Sequence, residues 1–118
     1  MFPVPKKNVA AYKKMAREAS KVWKRFGALD YYECTGEDLH VKATGGMKPR
    51  SFVEIAKAKS GDTVWFSFIV YKNRAQRDAV NKKVMAYFEK KYATAKDMSM
   101  PFDMKKMAYG GFKVIVKA

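Results

Sequence analysis

The longest uncharged stretch of the chain is residues 63–71, which read Thr-Val-Trp-Phe-Ser-Phe-Ile-Val-Tyr. β-Branched and aromatic side chains fill it almost completely, and such side chains suit a pleated strand. Successive side chains point to opposite faces of a strand, and neither of the two sets is polar here. The stretch therefore predicts a central strand that has to be covered on both faces.

Two longer segments have the three- and four-residue hydrophobic spacing of amphipathic helices. The first begins after Asn8, a residue type that caps helices, and ends at about Phe26, just before Gly27. The second begins after Asn73 and extends to about Lys91. The predicted inner faces comprise Val9, Tyr12, Ala16, Ala19, Trp23 and Phe26 in the first helix, and Val80, Val84, Tyr87 and Phe88 in the second.

Three shorter segments, residues 1–4, 29–35 and 109–116, have the composition of strands. With residues 63–71 and the two helices they give the order strand, helix, strand, loop, strand, helix, strand. This order predicts one domain over residues 1–118, a ferredoxin-like βαββαβ sandwich of the α+β class. Its antiparallel four-stranded sheet would carry the two long helices on one face.

The remaining segments are predicted connections. Residues 36–50 are polar and contain paired glycines, which indicates a surface loop or hairpin. Residues 52–58 favour a short helix because Ser51 and Glu54 have the spacing of a capping box, although a strand is also permitted. Residues 94–106 form a methionine-rich connection.

The central strand also bears on assembly. Two helices can cover only one face of a four-stranded sheet, yet residues 63–71 are apolar on both. An identical sheet would cover the second face, so we expect a symmetric homodimer, a dimeric α/β barrel. The alternative is a monomer in which the long loops cover that face.

Composition narrows the class of protein. The 118 residues are 48% hydrophobic, include no apolar run of 18 residues and lack a secretory signal at the N-terminus, so we expect no membrane partner. A single cysteine, Cys34, suits a reducing compartment, and the expected localisation is cytoplasmic. The 25 Lys and Arg against 11 Asp and Glu give a net charge of +14, which attracts polyanions at low salt.

A set of motifs resembles the small bacterial YbaA-like family, which is defined by domain of unknown function 1428. The resemblance implies a dimeric α/β-barrel fold and no established activity. Relatives usually begin with a longer strand and are less basic, so the first strand of this chain is expected to be truncated. The motifs are Glu33-Cys34, Val64-x-Phe66-Ser67-x-Ile69-x-Tyr71, Arg74-x-x-Arg77-Asp78-x-x-Asn81-x-Lys83-x-Met85 and Met100-Pro101-Phe102-Asp103-x-Lys105-x-Met107-x-Tyr109-Gly110-Gly111-Phe112.

Polar residues within these motifs are the candidates for a small-molecule pocket, between sheet and helices or at the dimer seam. Arg77 could hold an anionic group, and a carboxylate or Tyr71 could transfer a proton. In the structural alternative, Arg77, Asp78 and Asp103 pair with one another or cap the connection. Whether the protein is an enzyme stays open, and no cofactor is expected. The candidate pocket residues are Glu33, Ser67, Tyr71, Arg77, Asn81, Asp103 and Tyr109.

The outer face of the first helix supports a second hypothesis, a basic non-enzymatic module that binds RNA or another polyanion weakly and without sequence preference. A solvated cationic face explains the same pattern, since the aromatic residues nearby fall on the inner face. The chain contains one cysteine, Cys34, and one histidine, His40. We therefore expect neither a zinc site nor a cysteine nucleophile activated by a histidine base. The candidate cations are Lys13, Lys14, Arg17, Lys21, Lys24 and Arg25.

Overall fold

A computed structural model of the protein describes residues 1–93 and 100–118. None of the helices in these two ranges is both long and apolar enough to cross a membrane. Two 3₁₀ turns, Lys6–Asn8 and Met104–Lys106, accompany the main elements. In chain order these are β1 (Phe2–Pro5), α1 (Val9–Arg25), β2 (Asp30–Thr35), α2 (Phe52–Ile55), β3 (Asp62–Val70) and α3 (Arg74–Lys91).

The three strands form one antiparallel sheet in the order β1-β3-β2. Strand β3 is central, as its uncharged sequence predicts. Phe2 of β1 lies opposite Trp65, and β1 pairs only with residues 62–65 of β3. Strand β2 pairs with residues 65–70, so that Glu33 lies opposite Ser67. Trp65 alone pairs with both strands; residues 62–64 form the β1-paired end of β3, and residues 66–70 form its β2-paired end.

The predicted four-stranded sheet is wrong, because residues 109–116 pair with no strand in the described part of the chain. Their side chains are exposed. Just before them, Met1 and Ala108 exchange both backbone hydrogen bonds at 2.8 Å, as an antiparallel pair does. The segment has strand composition, but no strand among the described residues pairs with it.

Helix α1 ends as predicted, since Gly27 adopts φ 115°, a conformation that glycine tolerates best. Its start differs from the prediction. The Asn8 side chain makes no capping hydrogen bond, and its amide donates instead to the carbonyl oxygen of Pro101 at 3.0 Å. Asn8 therefore ties the helix start to a distant part of the chain.

Helix α3 begins with the predicted cap. The Asn73 side chain accepts a hydrogen bond from the backbone N–H of Gln76 at 2.8 Å. Val80 and Val84 are buried and form a core cluster with Val22 of α1. The helices are thereby packed against each other through small β-branched side chains.

A second core cluster joins α1 to β1 and the β1-paired end of β3. Tyr12 is 3% exposed and contacts Trp65 and Phe2 edge to face, with ring centroids 4.9 and 5.3 Å apart. Phe102 stacks on Phe2 at 4.6 Å. The odd-numbered residues of β3 therefore face the helices, and the even-numbered residues face away from them.

The face of the sheet turned away from the helices is partly uncovered. Phe66, Phe68 and Tyr32 are 54%, 41% and 48% exposed, and we call these three residues the open face. The rings of Tyr32 and Phe68 stack at 4.8 Å. The prediction that β3 is apolar on both faces is confirmed, but α1 and α3 cover only one of them.

The connections agree in part with the predictions. Within residues 36–50 a bridge between Thr44 and Met47 closes a tight turn. The side chain of Ser51 accepts from the N–H of Val53 at 3.0 Å and starts α2, which is a helix as favoured but shorter than residues 52–58. Of the predicted connection 94–106, residues 94–99 lie outside the described ranges.

Candidate small-molecule site

Glu33 is held between two tyrosines on the helix-facing side of β2. One carboxylate oxygen accepts a hydrogen bond from the Tyr12 hydroxyl at 2.5 Å, and the other accepts from the Tyr31 hydroxyl at 2.7 Å. The two hydroxyl groups thus fix the orientation of the carboxylate.

Secondary structure explains why these groups meet. Tyr31 and Glu33 are two residues apart in β2 and therefore lie on the same face of the sheet. Tyr12 reaches them from α1, where its ring is fixed against Trp65. Ser67 lies opposite Glu33 in β3 and completes the polar cluster.

Both phenols stay protonated near neutral pH. Burial, reinforced by the neighbouring Glu33 carboxylate, raises the pKa of Tyr12 well above its ordinary value of 10.0. The same two causes raise the pKa of Tyr31. The two hydroxyl groups are therefore lasting donors to the carboxylate.

An open cavity of about 310 Å³ borders this cluster, between α1 and the sheet. Ala16 and Trp65 supply apolar wall, and Lys13 and Arg17, one helical turn apart, supply positive charge. The cavity therefore combines an apolar wall, an oriented acceptor and two cations. Its lining residues are Lys13, Ala16, Arg17, Ser20, Tyr31, Glu33 and Trp65.

Two other predicted pocket residues, Tyr71 and Asn81, belong to a separate network around Trp23. The Tyr71 hydroxyl donates to the side-chain oxygen of Asn81 at 2.8 Å. The indole N–H of Trp23 lies 3.1 Å from both the Tyr71 hydroxyl and that Asn81 oxygen. Burial raises the pKa of Tyr71. The three groups satisfy one another where α1, α3 and the end of β3 meet.

The last three predicted pocket residues do not line the cavity. Arg77 makes an ion pair with its neighbour Asp78 at 3.0 Å. Asp103 accepts from the backbone N–H of Lys105 and caps a 3₁₀ turn, and Tyr109 is 89% exposed. The structure thus brings together Glu33 and Ser67, and separately Tyr71 and Asn81.

Sequence reasoning missed the two tyrosines that orient Glu33. Tyr12 belongs to the apolar stripe of α1, and this position predicts a core residue. Its ring does lie in the core. The period-two spacing of Tyr31 and Glu33 was the available signal, because it places both on one face of a strand.

The basic face of α1 forms a shallow groove of about 530 Å³. Four of the six candidate cations line it, but Glu18 also lines it and is paired with Lys91. Lys24 instead donates to the carbonyl oxygen of Leu29. Lys13 lies at the Glu33 cavity. The four groove cations are Lys14, Arg17, Lys21 and Arg25.

Side chains that could bind a metal ion are dispersed. Across residues 1–93 and 100–118 no three His, Cys, Asp or Glu side chains come together in a group that could hold one. Cys34 is a free, exposed thiol opposite Phe66.

Comparison with known proteins places the chain in a family. The model of the family described as "Protein of unknown function (DUF1428)" matches residues 1–104. The chain is 38% identical over 113 residues to "Uncharacterized protein YbaA" of Escherichia coli (strain K12) and to the protein of that name in Shigella flexneri. The alignment covers 96% of this chain and 90% of each relative. On both grounds, the chain belongs to the DUF1428 family of proteins of unknown function.

Proposed function

We propose that the protein is a homodimeric domain that binds a small anionic molecule in the cavity beside Glu33. The observation that carries the proposal is the carboxylate held by two tyrosine hydroxyls, 2.5 and 2.7 Å away, at the edge of a cavity with a cationic rim. Oriented polar groups beside an apolar wall are typical of ligand sites.

The lining residues define the ligand class. A carboxylate or phosphate group would contact Lys13 and Arg17. A hydroxyl or amine on the same molecule would donate to Glu33, and a short apolar part would lie against Trp65. A ligand with an anionic end and a hydrogen-bond donor therefore fits best.

The same groups suit proton transfer. Glu33 would accept a proton from a bound molecule, and Lys13 and Arg17 would stabilise the negative charge that develops on that molecule. A reaction of this kind needs only side chains already present in the cavity.

The homodimer rests on the open face. Phe66, Phe68 and Tyr32 form a contiguous aromatic surface on the uncovered side of the sheet. Aromatic side chains are enriched in protein interfaces, and a two-fold axis would place this surface against its own copy.

A thermal-shift screen of small carboxylates and phosphates tests the ligand proposal. Binding to the native state raises the stability by about 2.7 kcal/mol at 100 times the Kd. We expect Glu33→Gln and Arg17→Gln to weaken binding about tenfold or more. Lys82→Gln on α3 removes an exposed charge elsewhere and serves as the matched control. A ligand that stabilises all four proteins equally would show that it binds outside this cavity.

A second candidate function is polyanion binding by the groove on α1. Its support is the row of Lys14, Arg17, Lys21 and Arg25 along one helix face. Binding of single-stranded RNA would weaken with salt, with a slope of about −0.7 per phosphate contact in a plot of log K against log salt. A double substitution, Lys14→Gln with Lys21→Gln, should reduce that slope. An affinity that does not change with salt would exclude this function.

A further inference from the structure

The four groove cations form one row along α1. They follow each other at three- and four-residue steps and therefore lie on one face of the helix. From Lys14 to Arg25 the row rises about 16 Å along the helix axis. Glu18 also lines the groove, but its charge is balanced by Lys91. The groove is thus positive over a length that suits several phosphate groups of one strand rather than a single anion.

An aromatic ring borders the groove, and it comes from the other long helix. Tyr87 of α3 lines the groove together with residues of α1. Tyr12 and Trp23 of α1 itself pack against the core and are turned away from the groove. The packing of α3 against α1 therefore supplies a ring that the sequence of α1 does not.

The guanidinium group of Arg25 lies over that ring. Its central carbon is 4.9 Å from the ring centroid of Tyr87 and 5.5 Å from that of Phe26. A cation within about 6 Å of a ring centroid is attracted by the ring. Arg25 is exposed, and no carboxylate within residues 1–93 and 100–118 makes an ion pair with it. Aromatic rings thus position a guanidinium that stays accessible to a ligand.

A positioned guanidinium offers more than its charge. The group is planar, and the bases of single-stranded nucleic acids stack on such planes as they stack on aromatic rings. A lysine carries the same charge but has no plane. The row of cations attracts any polyanion, whereas the plane at Arg25 favours one with accessible bases.

We propose that the groove binds a single-stranded nucleic acid, with phosphate groups on Lys14, Arg17 and Lys21 and one base stacked on Arg25. The proposal rests on the polyanion binding described above and specifies which polyanion is bound. Tyr87 is a positioning residue, because it holds the guanidinium group without contacting the base. Stacking tolerates any base, so the groove binds without sequence preference.

Fluorescence anisotropy of the full chain with three labelled oligonucleotides of equal length tests the ligand class. A single-stranded RNA and a DNA strand of the same sequence should bind about equally, since neither proposed contact involves the 2′-hydroxyl group. The same DNA chain without its bases should bind about tenfold more weakly, although its phosphates are unchanged.

Arg25→Lys separates the plane from the charge. It should lower the affinity for the DNA strand about fivefold and leave the affinity for the base-free chain nearly unchanged. The slope of log K against log salt should stay the same, because the number of phosphate contacts does not change. Arg74→Lys makes the same exchange at an exposed arginine outside the groove and should alter neither affinity.

Tyr87→Leu tests the positioning role of the ring. It keeps an apolar side chain against α1 and should weaken binding of the DNA strand about as much as Arg25→Lys does. The double variant should bind no more weakly than either single variant, because both substitutions remove the same stack. Arg25 is exposed, so Arg25→Lys tests the proposal independently of any effect of the leucine on packing.

The remaining outcomes distinguish the stacked base from the function on which it rests. If the base-free chain binds as tightly as the DNA strand and Arg25→Lys changes neither affinity, the stacked base is wrong while polyanion binding stands. If no oligonucleotide binds even at low salt, both are wrong. A preference of more than about tenfold for RNA over DNA would contradict the proposed contacts, because it requires a contact to the 2′-hydroxyl group.

Discussion

The two ends of β3 have similar sequences but different surroundings. At residues 62–65 the strand pairs with β1, and Val64 and Trp65 are only 6% and 5% exposed. At residues 66–70 it pairs with β2, and Phe66 and Phe68 remain about half exposed. Neither hydrophobicity nor the presence of a neighbouring strand distinguishes the two ends. Trp65 becomes core because it packs against Tyr12 of α1, whereas Phe66 and Phe68 lie on the face turned away from the helices.

The largest expected effect comes from the β1-paired end of β3. Trp65→Ala should lower the free energy of unfolding by about 3–5 kcal/mol, because it leaves a cavity beneath Tyr12 and removes the indole hydrogen bond to Thr63. Phe68→Ala should cost a monomer less than Trp65→Ala does, because the Phe68 residue is already 41% exposed. Urea denaturation at low protein concentration measures both. Equal losses would remove the distinction between the ends.

A smaller effect concerns the tyrosines on the helix-covered face. Burial raises the pKa of Tyr12 and Tyr31 in the folded protein, so the folded state holds two protons that the unfolded chain releases above pH 10. Stability is full below that pH and falls as the pH rises above it. The loss per tyrosine is at most about 1.4 kcal/mol per pH unit, and less where solvent screens the partly exposed phenol. Tyr12→Phe should make the decline measured by alkaline denaturation shallower, and an unchanged slope would contradict the assignment.

The helix starts allow a finer comparison. Helix α3 follows the β2-paired end of β3 and begins with a local cap, so Asn73→Ala should cost about 1 kcal/mol. The Asn8 side chain makes no cap but donates to the Pro101 carbonyl oxygen, and Asn8→Ala should cost about 0.5–1 kcal/mol through that single hydrogen bond. Peptides covering each helix start distinguish the two roles. Only the Asn73 substitution should lower the helicity of its peptide in circular dichroism.

The smallest effect is expected far from both ends, where Lys91 contacts Glu18 between the helices. The hydrogen bond from Lys91 holds the pKa of Glu18 below its ordinary value of 4.5. The contribution is therefore present above that pH and is lost as the pH falls through the folded pKa. When the free energy of unfolding is measured as the pH is lowered, Glu18→Gln should remove only the part of the pH dependence that comes from the Glu18–Lys91 pair. An effect larger than that of Asn73→Ala would contradict an exposed pair.

Structural features that depend on a single segment of the sequence were predicted correctly, whereas features that depend on contacts between distant segments were not. The hydrophobic run of β3, the periodicity of α1 and α3, the Asn73 cap and Gly27 are local signals, and each was confirmed. The prediction of a fourth strand was wrong because strand composition does not supply a pairing partner, and no strand in the described ranges pairs with residues 109–116. The prediction that Asn8 caps α1 was wrong because the Asn8 side-chain amide donates to the carbonyl oxygen of Pro101, which is distant in sequence.

The site was less predictable than the fold. Motif membership selected Glu33 and Ser67 together with Arg77, Asp103 and Tyr109, which lie elsewhere. A tyrosine in a hydrophobic stripe contributes both a ring and a hydroxyl group. The hydrophobic spacing predicts that the ring is buried but does not predict which group the hydroxyl binds. The partner of the Tyr12 hydroxyl depends on how α1 lies across β2, which spacing alone does not specify.

Two prolines in β1 limit how far an assembly of this chain can grow. Phe2 and Val4 direct their backbone groups to β3, so Pro3 and Pro5 face the outer edge, where each lacks the N–H that a further strand would use. A chain arriving there finds no continuous ladder, and stacking into fibrils is blocked on that flank. Addition of a further strand is thus disfavoured on the β1 flank of the sheet.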